Sequence, residues 1–384
     1  MDPIYLDHNA TTPMLPEAWE AMRPVMAEAF GNPSSAHAVG RAARRFLEDA
    51  RDRVAELLGA TAEEVVFTSG ATEANNLALL GLAPLSPGGR GVGGEGIASV
   101  VAAPIEHPCV LGPLKRLEAM GFAVNWLPVP PSGIVEQREV LSRVTADTRL
   151  VTLMLANHET GAIQPVRHVA KTLPKHVLIH TDAAQAVGKM TVSFHDLGVH
   201  ALTASAHKFR GPKGVGLLLL KKGTKLVPLM HGGHQQRGHR PGTEPVALAV
   251  GLAVALEHAV RNLDAHRLHL EGLRTAFLGT LREAAIELVV NTPAESVPST
   301  LNVSFPGCRS ELLLMSLDLA GVACSTGSAC SSGSLLPSPV LRAMGVPEAV
   351  LASAMRFSFG VTQPEGEVID AARRVADCVR RVRG

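Results

Sequence analysis

The sequence predicts an α/β fold: a large domain built on a mostly parallel sheet, joined to a smaller C-terminal α+β domain. Three observations lead to this prediction. The chain has 384 residues, which is more than one compact core usually holds. Strand-like apolar runs alternate with helical stretches through the first part of the chain, as they do around parallel sheets. After about residue 245 this alternation stops, and a long helical stretch leads into a different mixture of elements.

The first elements follow from the local pattern. Glu64–Thr68 is an apolar run that fits a buried strand, Ser69–Thr72 fits a turn, and Glu73–Leu80 fits a helix. Further strands are predicted at Ser99–Ala103, Ala123–Leu127, Leu150–Leu155, Val177–Thr181, Ala201–Ser205 and Val215–Leu220. Helices are predicted at Cys109–Met120 and Pro165–Leu173. The Gly/Pro-rich segment Pro84–Gly96 fits a surface loop and not a phosphate loop, because its glycines lack the flanking strand and helix.

The pattern after residue 245 predicts the smaller domain. One long helix is predicted over Pro245–Leu278. After it come the segments Ile286–Val290 and Thr300–Phe305, and predicted helices at Glu311–Leu319, Pro339–Met344 and Glu365–Val382. We interpret this part of the chain as an α+β arrangement.

Composition and charge exclude several classes of protein. Hydrophobic residues make up 46% and charged residues 18% of the chain, so it can bury a sizeable core and does not fit a disordered protein. Aromatic residues are only 3%, which predicts an aliphatic core. The 36 basic and 35 acidic residues leave a formal charge of +1. Bulk charge therefore gives no reason to expect nucleic acid or a membrane as a direct partner.

The sequence also predicts a cytoplasmic location. The longest apolar run, Val246–Leu256, is shorter than the roughly 20 residues that a membrane span needs. The first residues lack the apolar stretch of a signal peptide. Five cysteines, an odd number in a long chain, do not fit a disulfide framework.

Polar side chains gather where predicted strands end, which is where ligand sites lie in open α/β sheets. His180–Gln185 places Asp182 after one strand, and Ser205–Gly214 places Lys208 after another. Ser69–Thr72 opens a predicted helix, whose unpaired N–H groups attract an anion such as phosphate.

These parts fit the needs of pyridoxal 5'-phosphate. Its aldehyde requires a lysine amine, its pyridine nitrogen requires a carboxylate, and its phosphate requires a helix N-terminus and hydroxyl groups. Spacing alone leaves the plainer interpretation open, because most lysines at strand ends are simply solvated.

Short motifs in a fixed order cover nearly the whole chain. They are Tyr5–Pro13, Gly31–Ser35, Phe67–Glu73, Glu106-His107, Asn157–Gly161, His180–Gln185, His207-Lys208, Arg237–Thr243 and Ser328–Ser332. In this order they resemble the cysteine desulfurases of the class V aminotransferase family, of the long-loop iron–sulfur-cluster type. The resemblance implies the PLP-dependent transferase fold type I. It places a large cofactor-binding domain at residues 16–250, and a small domain carrying the cysteine loop at residues 1–15 and 251–384.

The resemblance also implies roles for individual residues. Lys208 is expected to bind pyridoxal phosphate covalently and to take the Cα proton of the substrate. Asp182 is expected to pair with the pyridinium nitrogen, and Gln185 to bond the phenolic oxygen. His107 is expected to stack on the ring and to transfer protons. The remaining implied cofactor contacts are Ala71, Thr72, Ser205 and His207 at the phosphate, and Asn157 beside the ring and the bound amino acid.

Three further residues are implied at the substrate and at a subunit interface. Arg356 matches an arginine that binds the carboxylate of L-cysteine, and a planar guanidinium suits that task because it can bind bidentately. A core salt bridge is the alternative for this residue. Asn32 is expected at the substrate end. Thr243 matches a threonine that reaches the phosphate of the partner subunit, which implies a homodimer with shared sites.

Cys330 lies in Cys324–Ser334, a stretch of small polar residues between apolar elements. An inert buried cysteine would normally lie inside an apolar run. The resemblance implies that the Cys330 thiol takes sulfur from L-cysteine as a persulfide, and that it can transiently ligate a cluster. No standing metal site is expected. Cys324 is a lesser candidate for the nucleophile. A metal pair with Cys330 and a regulatory disulfide with it are the alternatives.

The implied function is a cysteine desulfurase that converts L-cysteine to L-alanine and passes sulfur to an acceptor protein, such as an iron–sulfur scaffold, or toward tRNA thiolation. Selenocysteine lyase, a class V aminotransferase proper and a non-catalytic sulfur-transfer scaffold are the alternatives. His158, Ala206, His234 and Gln236 depart from the residues common in the family and leave substrate preference open. His231, His234 and His239 share one loop, but no carboxylate or cysteine completes a metal-binding set.

Overall fold

The computed structural model describes residues 3–84, 97–327 and 337–383. Its strands are β1 (Ile4–Tyr5), β2 (Val65–Thr68), β3 (Ser99–Ala102), β4 (Ala123–Trp126), β5 (Thr148–Thr152), β6 (Leu178–Asp182), β7 (Ala201–Ser205), β8 (Gly216–Leu220), β9 (Val289–Val290), β10 (Thr300–Ser304), β11 (Val322–Ala323) and β12 (Ala354–Ser358).

The helices alternate with these strands in the first part of the chain and dominate afterwards. They are α1 (Pro16–Ala27), α2 (Ala38–Leu57), α3 (Ala71–Leu82), α4 (Pro108–Ala119), α5 (Gln137–Arg143), α6 (Val166–Thr172), α7 (Phe194–Leu197), α8 (Val246–Arg261), α9 (Leu263–Glu283), α10 (Ser310–Leu319), α11 (Pro339–Ala343), α12 (Glu348–Leu351) and α13 (Glu365–Arg383).

The central feature is a seven-stranded sheet in the order β2-β8-β7-β6-β5-β3-β4. The neighbours from β7 to β4 run parallel, whereas β8 is antiparallel to both β7 and β2. The mostly parallel sheet is therefore confirmed. Every residue of β2, β3, β5, β7 and β8 is buried, as expected for strands with helices on both faces.

Alternate side chains of the sheet enter different layers of core. In β2, Val65 and Phe67 join a cluster with residues of α2 and α8, while Val66 joins a second cluster with residues of α3 and α4. This alternation follows from the two-residue period of a strand. Full burial of a side chain such as Phe67 stabilises the fold by about 1.5–3 kcal/mol.

A smaller domain with antiparallel strands follows the large sheet. Strands β12, β10 and β9 form a three-stranded sheet, and β1 from the start of the chain pairs in parallel with β11. A separate apolar cluster joins β1, β10, β11 and β12 to α9, α10 and α13. The predicted combination of a large α/β domain and a smaller α+β domain is confirmed.

The sequence predicts one helix over Pro245–Leu278, but the structure has two helices that meet at Asn262. The prediction of a single helix is therefore wrong. Helix α8 ends there, α9 begins at Leu263, and the two axes differ by 72°. The Asn262 side chain donates a hydrogen bond to the carbonyl of His258 at 2.8 Å, which satisfies one of the last carbonyls of α8. The bend lets α8 pack against α1 and α2 while α9 packs against α13.

Among the described residues, no single helix is both long and apolar enough to cross a membrane; α8 and α9 meet that test only as a bent pair.

Candidate active site

The site forms at the carboxyl ends of β6 and β7. These neighbouring strands are parallel, so Asp182 at the end of β6 and Ser205 at the end of β7 reach the same edge of the sheet. The chain then turns tightly through His207 and Lys208. The start of α3 lies across the same edge, and together they line a cavity of about 530 Å³.

Most of the predicted site residues meet in this cavity. Its lining includes Ala71, Thr72, His107, Asp182, Gln185, Ser205, His207 and Lys208. Segments that lie far apart in the sequence therefore contribute to one site.

The turn before α3 forms the anion-binding end of the cavity. The helix begins at Ala71, so its first N–H groups lack partners within the helix and point toward an anion. Ser205 and His207 lie beside it in the cavity wall. Gly216 allows this turn to pack closely on β8, since a Cβ there would lie only 2.6 Å from the Cα of Gly70.

His207 is neutral at this end. Its pKa is lowered to about 4, mainly by burial and then by the positive charge of Lys208. Its Nδ1 lies 3.1 Å from the hydroxyl of Thr11. A neutral imidazole can donate one hydrogen bond into the cavity without adding a charge.

Asp182 provides the acidic end of the cavity wall. It is only 6% exposed. Its Oδ1 accepts a hydrogen bond from the amide of Ala184 at 2.9 Å, and its Oδ2 accepts one from Asn75 Nδ2 at 2.7 Å. Thr203 in turn donates to Asn75 Oδ1 at 2.6 Å. These donors fix the orientation of the carboxylate at the cavity wall.

Lys208 lines the same cavity and is held by the start of the chain. Its Nζ donates to the carbonyls of Asn9 at 2.5 Å and Ala10 at 2.9 Å. Gln185 donates to the same Asn9 carbonyl at 3.0 Å. Lys189 donates to Gln185 Oε1 at 2.5 Å and to Asn9 Oδ1 at 2.9 Å. Burial, followed by the charge of Lys208, lowers the pKa of Lys189 well below its usual range.

His107 caps the start of α4 and forms another wall of the cavity. Its Nδ1 accepts the amide hydrogen of Cys109 at 3.2 Å. Burial lowers its pKa, an effect that Asp182 opposes. The ring meets His158 edge to face, with centroids 5.1 Å apart. His158 is buried and its pKa is well below 6.5, so this departure from the family pattern adds a neutral ring to the wall.

Arg356 lies in β12, just behind this wall. It is 2% exposed, and its Nη2 forms a salt bridge of 2.7 Å with Asp7. Its Nη1 donates to the carbonyl of His158 at 3.0 Å. Arg356 is not among the residues lining the cavity. To bind a substrate carboxylate it must share its guanidinium with Asp7 or exchange partners.

Three other predicted residues lie outside this cavity. Asn157 is fully buried, donates to the carbonyl of Ile105 at 3.1 Å, and holds the turn that follows it. Asn32 and Thr243 are exposed on the surface. The structure therefore does not bring Asn32 or Thr243 to the site of their own chain.

Cys330 lies outside the described residues, as does the Pro84–Gly96 loop from residue 85 onward. Gly327, the last described residue before the Cys330 segment, and Ser338, shortly after that segment, both lie against Glu159. The Ser338 hydroxyl donates to the Glu159 carboxylate, and a Cβ on Gly327 would lie 2.7 Å from the same oxygen. Burial raises the pKa of Glu159 to about 7. Burial also raises the pKa of the Cys324 thiol, so Cys324 is protonated and a poor nucleophile.

Two further departures have structural explanations. Gln236 is buried, and its Oε1 accepts hydrogen bonds from the Phe67 amide at 2.8 Å and from Arg51 Nη1 at 3.1 Å. It therefore ties its loop to β2. Ala206 packs against Gly211, where a Cβ would approach within 2.7 Å.

Among the residues that the structure describes, no three His, Cys, Asp or Glu side chains are grouped to hold a metal ion, including those near His231 and His239.

The donor set fits pyridoxal phosphate. A buried carboxylate, a lysine amine and the N-terminus of a helix converge on one cavity, and these match the ring nitrogen, the aldehyde and the phosphate. Sequence reasoning did not identify Asn75, Asn9 or Cys109 as part of this arrangement. A weak signal for Asn75 was available, since it lies one helical turn after Ala71 and so on the same face of α3.

The fold and the site define a PLP-type transferase, and comparison with known proteins gives its family. The aminotransferase class-V family profile matches residues 4–370, and the chain belongs to this family. It is 40% identical over 385 aligned residues to the cysteine desulfurase IscS of Dictyoglomus turgidum, covering 99% of this chain and 96% of the relative. It is 41% identical to the putative cysteine desulfurase IscS 1 of Bacillus subtilis, with 100% of both chains covered. A solved NifS-like protein superimposes with a TM-score of 0.91 at 37% identity, covering 99% of this chain and 100% of that one.

Proposed function

We propose that the chain is a cysteine desulfurase that uses pyridoxal phosphate to convert L-cysteine to L-alanine and carries the released sulfur as a persulfide on Cys330. One observation carries the proposal: Lys208, Asp182 and His107 line a single cavity together with the N-terminus of α3. The two desulfurases that align with nearly the whole chain support the same activity.

In this proposal, each described side chain has a task that its surroundings allow. Asp182 holds the ring nitrogen, the start of α3 holds the phosphate with Ser205, and Lys208 binds the aldehyde carbon. When bound, pyridoxal phosphate supplies an electron sink that stabilises negative charge at the substrate Cα. The Lys208 amine takes the Cα proton, and Arg356 binds the substrate carboxylate after exchanging its contact with Asp7.

The sulfur step is assigned to Cys330. Its thiolate attacks the substrate sulfur, and the Cβ–S bond breaks with its electron pair remaining on the substrate carbon. Protonation of that carbon gives alanine, and Cys330 retains the sulfur as a persulfide. A second thiol, on an acceptor protein, can then attack the outer sulfur. Such an acceptor, for example an iron–sulfur scaffold, and a cytoplasmic location belong to the same proposal.

We also propose that the enzyme is a homodimer in which Thr243 reaches the phosphate site of the partner subunit. Thr243 is exposed and lies outside the cavity of its own chain, as a residue with that task must. The loop that carries it is held against α3 by a 2.7 Å salt bridge between Arg240 and Glu73. Trp19, Met26 and Phe30 are exposed by 47%, 58% and 79%, which supports a covered surface in the assembly.

The test uses the purified full-length chain and two readouts: visible absorption after adding pyridoxal phosphate, and alanine released from L-cysteine. Lys208→Ala is expected to lose both the absorption band and alanine release. Cys330→Ala is expected to keep the band and to lose persulfide formation. Cys308→Ala, which removes a buried thiol far from the site, is the control and is expected to resemble the wild type. Sulfur transfer by Cys330→Ala at the wild-type rate would overturn the assignment.

A further inference from the structure

A second thiol lies in the wall of the cavity and takes no part in the proposed sulfur transfer. Cys109 is the second residue of α4 and is 9% exposed. Its Sγ lies 2.9 Å from His107 Nδ1 and 3.1 Å from Asn75 Nδ2. It also lies 3.8 Å from Asp182 Oδ2. Cys109 therefore touches both the acidic end of the cavity and the histidine of its wall.

The surrounding donors determine where the hydrogen atoms lie. The backbone amide of Cys109 can only donate, and it donates to His107 Nδ1, so this nitrogen carries no proton and the neutral ring is protonated at Nε2. Thr203 donates to Asn75 Oδ1, so the Asn75 amide nitrogen must face Asp182 and Cys109. Asn75 donates to the sulfur, so the thiol hydrogen has two acceptors within reach, His107 Nδ1 at 2.9 Å and Asp182 Oδ2 at 3.8 Å, and His107 is the nearer one.

The thiol remains protonated in this environment. Burial and the nearby Asp182 carboxylate raise the pKa of Cys109, so it is a donor and not a thiolate at neutral pH. Two donors, the Cys109 amide and the Cys109 thiol, thus converge on His107 Nδ1. Protonating His107 at Nδ1 would place its new hydrogen against both of them.

We propose that Cys109 is a positioning residue whose thiol keeps His107 neutral, with its proton on Nε2, at the cavity wall. The consequence for catalysis rests on the proposed function. A neutral ring with its proton on Nε2 can donate a hydrogen bond to the substrate or cofactor but cannot add a positive charge there. Other groups act on the same ring. Asp182 favours its protonation, Lys208 and Arg356 oppose it, and His158 packs edge to face on it. In the described part of the chain, Cys109 is the residue that contacts His107 Nδ1 directly, and the other groups do not.

The experiment measures the titration of the His107 ring by NMR on the full-length chain labelled with ¹⁵N-histidine, both loaded with pyridoxal phosphate and without it. His107→Gln identifies the signal. Cys109→Ser keeps a donor at this position, whereas Cys109→Val keeps the bulk and removes the donor. The titration midpoint is expected to move to higher pH in Cys109→Val and to stay near the wild-type value in Cys109→Ser.

A second readout is the pH profile of alanine release, which is expected to lose activity on its acidic side in Cys109→Val. Cys308→Ala is again the control, because its thiol is buried elsewhere and lies 3.8 Å from the carbonyl of Val379. Equal His107 titrations in the valine variant and the wild type would overturn the inference, as would equal shifts in the serine and valine variants. If the wild type released no alanine, the proposed function would fail while the NMR result still decided the role of Cys109.

Discussion

Glu106 shows how burial sets the charge of a single side chain beside the site. It is 2% exposed; its Oε1 accepts the Met154 amide at 2.6 Å, and its Oε2 has no hydrogen-bond partner among the described residues. Burial, and then the charge of Asp182, raises its pKa to about 8. The fold therefore holds an uncharged acid next to His107 at neutral pH.

The raised pKa predicts a pH-dependent stability. Because the folded pKa lies above that of an unfolded glutamate, the stabilising effect of protonation is complete below about pH 4.5 and is lost as the pH rises through about 8. Glu106→Gln mimics the protonated acid. Its unfolding free energy is expected to match the wild type at pH 5 and to exceed it at pH 9, on the order of a few kcal/mol.

Denaturant unfolding at pH 5, 7 and 9 measures this difference. Glu283→Gln, on the exposed end of α9, is the matched control and is expected to show no such divergence. A Glu106→Gln variant whose stability runs parallel to the wild type across this range would contradict the prediction.

At the residue scale, the sequence predicts those site residues that follow strands and misses those that depend on distant contacts. Lys208 and Asp182 come directly after apolar runs, so a general rule for α/β sheets brings them together. Asn9 has no such local signal. It contacts Lys208 only because the first strand pairs with a strand near the other end of the chain.

At the scale of the elements, Gly216 at the start of β8 allows the turn before α3, at the proposed phosphate site, to lie close to the sheet. A Cβ there would lie 2.6 Å from Gly70 Cα and 2.7 Å from the Ala204 carbonyl, and both contacts are with backbone. Gly216→Ala must therefore displace the turn. The expected result is weaker binding of pyridoxal phosphate, by about tenfold if the displacement costs about 1.4 kcal/mol.

Fluorescence titration of the cofactor-free protein with pyridoxal phosphate gives this affinity. Gly112→Ala is the control, since no atom lies within 4 Å of a Cβ at that helical position. Unchanged affinity in Gly216→Ala would show that the turn tolerates the added methyl group.

The elements that the sequence predicts best are those whose burial is continuous. The strand Ala201–Ser205 is predicted with its observed bounds, and all five of its residues are buried. The strand β12 is not predicted, because Arg356 at its centre argues against a buried strand. The salt bridge to Asp7 and the hydrogen bond to the carbonyl of His158 make that burial possible, and the local sequence pattern identifies neither partner.

At the scale of the whole molecule, the proposed dimer predicts that two inactive subunits can restore one another. Lys208→Ala lacks the amine, and Thr243→Ala is expected to bind pyridoxal phosphate weakly. In a mixed dimer, the subunit that keeps Lys208 receives an intact Thr243 from its partner. Alanine release is therefore expected to return after the two variants are unfolded, mixed and refolded together.

Each variant refolded alone is the control, and sedimentation verifies that the mixture is dimeric. If Thr243 acts within its own chain, the mixture stays inactive, because neither subunit then has a complete site.

The division into residues 16–250 and residues 1–15 with 251–384 remains a prediction, because it depends on how the two parts behave when separated.

The pairing of β1 with β11 determines when the site can form during synthesis on the ribosome. Ile4 and Tyr5 align with Val322 and Ala323, so the segment that places Asn9 against Lys208 has no partner strand until most of the chain has been synthesised. Contacts that close such long loops form late and slowly. The lysine is thus made long before its anchors are in place, and a nascent chain stalled before residue 322 should emerge unable to capture its cofactor.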